Sequence, residues 1–168
     1  MKSLFWKALL TATSAGWVFC LDQASKIFAH TQLIRQKPQV IIEGFFNLAY
    51  VTNKGGAFGL FHGGPEWVRI VLFLLVPLFC FVLIFIMLRE AYRPLHVLAL
   101  GFILGGALGN YVDRLRLGYV VDFLDFYVKD WHWPTFNFAD SFIVVGVVLL
   151  SFLYFQEQRE SKKAQVKK

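Results

Sequence analysis

Asp122 lies in Gly118-Tyr119-Val120-Val121-Asp122-Phe123-Leu124, a carboxylate among apolar and aromatic neighbours with no adjacent base. Burial in such surroundings raises the proton affinity of a carboxyl group. Asp140 follows Asn137 at the start of an apolar run, where the positive end of a helix dipole favours the ionised form. Two carboxyl groups whose environments pull their proton affinities apart can share one proton. One then takes a proton from water while the other donates to a carbonyl oxygen, which is hydrolysis without a metal. Which group does which is a property of the pair. Asp125 competes with Asp122 for the first position, and Asn137 with Asp140 also fits a plain helix-capping box.

Other hydrolytic chemistries find less support. There is no H-E-x-x-H, and His30, His62, His96 and His132 are scattered, which speaks against zinc hydrolysis. There is no G-x-S-x-G elbow. Ser25 and Lys26 are neighbours on a helix and point about 100° apart, so they do not make a Ser-Lys dyad. Cys20 and Cys80 both fall in apolar runs and read as small buried residues.

The elements that must position these groups are set by composition. The chain of 168 residues is 57% hydrophobic, 18% aromatic and 17% charged, too apolar for an ordinary soluble domain. Four segments approach the roughly 20 residues a bilayer crossing needs, at about Leu4 to Phe28, Val68 to Leu88, Leu95 to Val112 and Phe138 to Phe155. The expected fold is a single all-α integral membrane domain, residues 1–168, built as a four-transmembrane-helix bundle. A signal peptide would end the first run at a small-x-small site, but this run continues into Asp22, Gln23 and Lys26 and reads as an anchor. Val40-Ile41-Ile42 and Phe45 to Val51, bounded by Pro38, Gly44 and Gly55-Gly56, read as short strands in an interfacial external loop. The twin glycines at Gly55-Gly56 and Gly63-Gly64 would let that loop move as a lid. Gly101, Gly105 and Gly109, four apart, make one face of the third helix smooth for a close neighbour.

Lys2, Lys7, Arg89, Arg93 and the basic tail of residues 156–168 fall on one side of four crossings, which the positive-inside rule makes cytoplasmic, with both termini inside. The external side receives the loops of about 29–67 and 113–137. The net charge of +6 is not arranged as a nucleic-acid stripe, and five of the basic residues sit in the tail, where anionic lipid accounts for them. The ionisable and amide residues within the spans are Asp22 and Lys26, Asn110 with Asp113 and Arg114, and Asn137 with Asp140. All lie at the external end of their helices, and intramembrane polar groups are functional suspects. The plainer readings are an i, i+4 ion pair for Asp22 and Lys26, a snorkelling Lys26, and an interfacial pair of Asp113 with Arg114.

Five blocks in order carry a resemblance covering nearly the whole chain. They are Leu21-Asp22-Gln23-Ala24-Ser25-Lys26, Asn53-Lys54-Gly55-Gly56-Ala57-Phe58-Gly59, Gly105 to Arg114, Val120-Val121-Asp122-Phe123 and Phe136-Asn137-Phe138-Ala139-Asp140-Ser141. Together they resemble the bacterial lipoprotein signal peptidases, the signal peptidase II family. The second block departs from the more usual Asn-Thr-Gly-Ala-Ala-Phe at Lys54 and Gly56. The resemblance implies an aspartic endopeptidase with Asp122 and Asp140 as catalytic pair, and no metal or cofactor. It implies that Asp22, Lys26, Asn53, Gly55, Asn110, Arg114, Asn137 and Ala139 shape the site or hold substrate. The implied substrate is a prolipoprotein carrying diacylglycerol on its lipobox cysteine, cut on the N-terminal side of that cysteine in the bacterial cytoplasmic (inner) membrane. A monomer in contact with membrane lipid, sensitive to globomycin-type cyclic peptides, completes what the likeness implies. The competing reading is a small carrier or channel with a carboxylate relay, which would step its polar groups across the membrane instead of gathering them at one end.

Overall fold

The computed structural model describes residues 3–54, 65, 67, 71, 75–91 and 93–166. Among the described residues there are four helices, α1 (Leu4–Gln32), α2 (Val76–Glu90), α3 (Pro94–Leu117) and α4 (Phe138–Val166). Of these, Leu4–Gln32, Pro94–Leu117 and Phe138–Gln165 are long and apolar enough to cross a membrane. The chain is thus a multi-pass membrane protein. The described part of α2 has 15 residues, about 22 Å of helix, and most of the predicted start of the second span lies outside the described residues. Large apolar side chains such as Phe5, Phe79 and Phe152 point outward, each more than 60% exposed. In a membrane protein that outward surface meets lipid.

Helix α3 is the centre of the bundle, packed against both α1 and α4. Close approach is possible because its glycines carry no side chain. A methyl group at Gly105 would strike the backbone of α1 at Ala15, and one at Gly106 the carbonyl of Ala139 in α4. The glycine row is structural, as its spacing predicts. A cluster of Ile84, Leu88, Ala91, Val97 and Leu100 seats α2 on the start of α3.

Three helices run past their predicted ends. The first continues to Gln32. The third reaches Leu117, where Gly118 adopts a left-handed conformation (φ 76°) and donates its N–H to the Arg114 carbonyl. Asp113 and Arg114 therefore belong to the helix and not to the loop predicted from residue 113. The fourth continues through the basic tail to Val166, because its alternating Glu, Gln, Arg and Lys residues are good helix formers even without lipid around them.

Strands β1 (Gln39–Ile42), β2 (Phe46–Asn53), β3 (Val120–Val128) and β4 (Trp131–His132) form an antiparallel sheet in the order β1-β2-β3-β4. The first two match the strands expected in the first loop. The last two fall in a loop for which no strand was predicted. Gly44, at φ 74°, turns β1 into β2, and β2 pairs with β3 so that Val51 faces Asp122 and Asn53 faces Val120. A second apolar cluster of Ala29, Leu33, Val121 and Phe123 fastens the sheet to the end of α1.

Candidate active site

Asp122 is brought to the bundle by β3 and is only 2% exposed. Two amides hold its carboxylate. Asn53 Nδ2, at the end of β2, donates to Asp122 Oδ2 (3.1 Å), and Asn137 Nδ2 donates to Asp122 Oδ1 (2.7 Å). Burial, reinforced by the nearby charge of Asp140, pushes the Asp122 carboxyl up to about 7 despite these donors.

Asp140 sits in the first turn of α4. The Asp140 N–H donates to Asn137 Oδ1 (3.0 Å), and the Asn137 N–H donates back to Asp140 Oδ2 (3.3 Å). This is a capping box with aspartate in the acidic position. The capping reading holds, and the same Asn137 side chain also reaches Asp122. Asn110 on α3 completes the bracket, with its Nδ2 donating to Asp140 Oδ1 (2.8 Å) and its Oδ1 accepting from Asn137 (3.2 Å). Two asparagines from different helices thus lock both aspartates in one frame.

Asp122 and Asp140 line one cavity of about 500 Å³, shared with Asn53, Arg114, Thr135 and Ser141 and walled by Trp133, Ile143 and Val144. Two carboxyl groups at the edge of a mostly apolar pocket can polarise a water and a carbonyl oxygen while excluding bulk solvent. Asp125 plays no part in this frame. Its carboxylate is taken by Asn47 Nδ2 (3.0 Å) and by His132 Nδ1 (2.7 Å).

Behind the dyad lies a second polar layer. Lys26 Nζ is 2.9 Å from Asp22 Oδ2, 2.9 Å from Asp113 Oδ2 and 2.8 Å from Asn110 Oδ1. It is 4% exposed, so the snorkelling reading is wrong: three inward acceptors outweigh the hydration it would gain at the interface. Asp22 Oδ1 accepts the backbone N–H of Ala139 (2.9 Å). Of the residues that the resemblance assigns, Asp22, Lys26, Asn53, Asn110, Arg114, Asn137 and Ala139 gather at this end of the bundle, whereas Gly55 and both twin-glycine hinges lie outside the described residues.

Asp113, a functional suspect that the resemblance left unassigned, and Gln23, which was not assigned to the site, both belong to this layer. Asp113 Oδ2 accepts the N–H of Val121 (3.3 Å), and Gln23 Nε2 donates to Asp113 Oδ1 (3.0 Å). A signal existed, since Asp113 is one of the few acids in a span, but nothing in the linear chain shows that a strand returns beneath it.

The family model described as signal peptidase (SPase) II matches residues 14–156. A lipoprotein signal peptidase of Desulforapulum autotrophicum is 44% identical over 139 residues, 82% of this chain and 85% of its own. One from Syntrophus aciditrophicus is 38% identical over 154 residues, 90% of this chain and 96% of its own. Two solved structures, each described as a bacterial membrane enzyme, superpose with TM-scores of 0.76 and 0.74 at 25% and 27% identity. They cover 88% and 86% of this chain, and 88% and 91% of their own. With a family match across most of its length and relatives of this similarity, the chain belongs to the signal peptidase II family of membrane proteases, the lipoprotein signal peptidases.

Proposed function

We propose that this protease is of the aspartic type and that Asp122 and Asp140 are its catalytic residues. The observation that carries the reading is the shared frame: both carboxyl groups line one cavity and are cross-linked through Asn137 and Asn110. In the proposed cycle Asp122, whose proton affinity is raised, brings the proton, and Asp140 accepts one from the attacking water. Water adds to the scissile carbonyl as Asp122 protonates its oxygen. Collapse of the tetrahedral intermediate expels the amine of the new N-terminus, which takes up a proton from the dyad.

The substrate is a prolipoprotein with diacylglycerol on its lipobox cysteine, cut on the N-terminal side of that cysteine. The cavity's apolar wall reaches Val144, 60% exposed on the outer face of α4, so a lipidated segment can approach sideways through the bilayer. Four crossings of the bacterial cytoplasmic membrane, the second including α2, put both termini in the cytoplasm and the dyad toward the external face. The enzyme acts as a monomer surrounded by lipid, and globomycin-type cyclic peptides block the same cavity.

The test is cleavage of a lipidated precursor by purified protein in proteoliposomes. Asp122→Asn and Asp140→Asn each lose about a thousandfold or more in kcat while inserting and unfolding like the parent. Wild-type cleavage by either variant sinks the aspartic assignment. Single cysteines at Ser3 and at Lys129, tested for labelling by a membrane-impermeant maleimide, check the topology, with Lys129 expected to react from outside and Ser3 not.

A further inference from the structure

The layer behind the dyad is laid out in two matching arms. On one arm, Asp22 Oδ1 accepts the backbone N–H of Ala139, the residue immediately before Asp140 (2.9 Å). On the other, Asp113 Oδ2 accepts the backbone N–H of Val121, the residue immediately before Asp122 (3.3 Å). The remaining contacts join the arms. Lys26 Nζ bridges Asp22 Oδ2 and Asp113 Oδ2 at 2.9 Å each, and Gln23 Nε2 spans the same two side chains at 3.3 and 3.0 Å. A third link leads from Lys26 Nζ to Asn110 Oδ1, which turns the Asn110 NH2 toward Asp140.

We propose that Lys26, with Gln23, is a positioning device that sets the spacing of the two catalytic aspartates by tying together the backbone clamps that precede them. The inference rests on the dyad reading above and goes beyond it, because it assigns Asp113 and Gln23 to function and gives Lys26 a task other than contact with substrate. The physical need is plain. Asp122 rides on a strand and Asp140 on a helix. Asn137, the Leu124–Phe136 bridge and the Phe123–Phe138 ring contact join that strand to the start of the helix on one side of the pair. A link on the other side must hold the backbone just before each carboxylate. Buried charges do this well: with 0% exposure at Asp22 and 4% at both Lys26 and Asp113, the links are shielded from bulk water. A misplacement of about 1 Å at a reacting centre can cost about a hundredfold in rate, so a spacer of this kind acts on the chemical step and leaves substrate affinity alone.

The experiment is a double-mutant cycle on the full chain in proteoliposomes, using Asp22→Asn, Asp113→Asn and the pair together. Asparagine keeps an oxygen that can accept the backbone N–H and removes the charge that holds Lys26. Each single variant lowers kcat by about tenfold or more with KM for the lipidated precursor within about threefold, a split that loss of substrate contact would not produce. The double variant is no more than about threefold slower than the slower single one, because a tie cut at one end transmits nothing from the other. Losses that multiply, or a raised KM with kcat unchanged, overturn the proposal. Should a charge-removing variant fail to fold, Gln23→Leu supplies a gentler cut, expected to lower kcat severalfold at constant KM. An unchanged kcat there overturns it as well. Asp122→Asn and Asp140→Asn run in parallel separate the two ideas: their retained activity refutes the dyad, whereas their inactivity beside multiplicative network losses refutes only the tie.

Discussion

Charged residues gather at both ends of this bundle, and the two clusters are built differently. At the dyad end, Lys26, Asp22 and Asp113 are fully sealed, with side chains 4%, 0% and 5% exposed in their ion pairs. At the opposite end, Arg93 meets Glu160 (3.0 Å) and Glu157 (3.6 Å), and His96 meets Glu157 (3.2 Å), with Arg93 34% and Glu160 55% exposed. Lys7 there donates to the carbonyls of Leu88 and Arg89 at the end of α2 (3.3 and 2.7 Å). The opposite end uses charge to finish helices and leaves Arg93 and Glu160 open to water, while His96 and Glu157 beside them are more covered. The dyad end seals Lys26, Asp22 and Asp113 away from water. Permanent burial of ions costs several kcal/mol in desolvation, and fixed geometry is what offsets that cost in an enzyme.

The contrast is broken most directly by removing one cation from each cluster. Lys26→Met leaves two buried carboxylates without their partner and lowers stability by about 3–5 kcal/mol, whereas Arg93→Met changes it by under about 1 kcal/mol. Thermal unfolding in detergent reads both, and equal effects would erase the distinction. Glycines sharpen the comparison. A methyl group at Gly109 would collide with the Asp22 carboxylate, while one at Gly101 would collide with the Ser14 side chain, about two turns away along both helices. Both Gly→Ala changes cost about 1–3 kcal/mol by overpacking. Only Gly109→Ala also lowers the kcat of the folded fraction, as single-turnover cleavage would reveal.

Proton dependence gives a smaller but more specific contrast. With Asp122 pushed up to about 7, its acid form is lost as pH rises through that value, so cleavage falls above about pH 7. Asn53 stabilises the carboxylate form by donating to Asp122, so Asn53→Ala moves this alkaline limb to higher pH. A profile of kcat/KM against pH checks the sign, and a limb moving downward would contradict it. His96→Gln, at the opposite end, leaves the limb where it is. The smallest effect belongs to Glu160→Gln, whose partner Arg93 keeps its contact with Glu157, and whose unfolding temperature should be that of the parent within about a degree.

Much of this was legible because the bilayer and the helix impose strong rules on sequence. Uninterrupted apolar runs located the three helices long and apolar enough to cross a membrane, and the Gly101, Gly105 and Gly109 spacing marked the face on which α1 packs. Asn137 with Asp140 announced a helix start, and α4 does begin there, with Asp140, one of the two proposed catalytic groups, in its first turn. Legibility failed where order depends on partners distant in the chain. Strand β3 was missed because Val120 to Val128 is a strand only by pairing with β2, nearly seventy residues earlier. Helix α3 was cut short because Asp113 and Arg114 look like a loop unless one knows that Lys26 and the cavity receive them.

By itself, then, the sequence determined which residues could do chemistry and the end of the helices at which they stand, since hydropathy and helical periodicity act over a few turns. Only the tertiary structure decided that Asp122 arrives on a strand and Asp140 on a helix. The same is true of Asn137 and Asn110 bracing them, and of Lys26 facing inward to Asp22 and Asp113. Those outcomes depend on hydrogen bonds whose partners are fixed by packing, and a buried donor takes whichever acceptor the fold brings within reach.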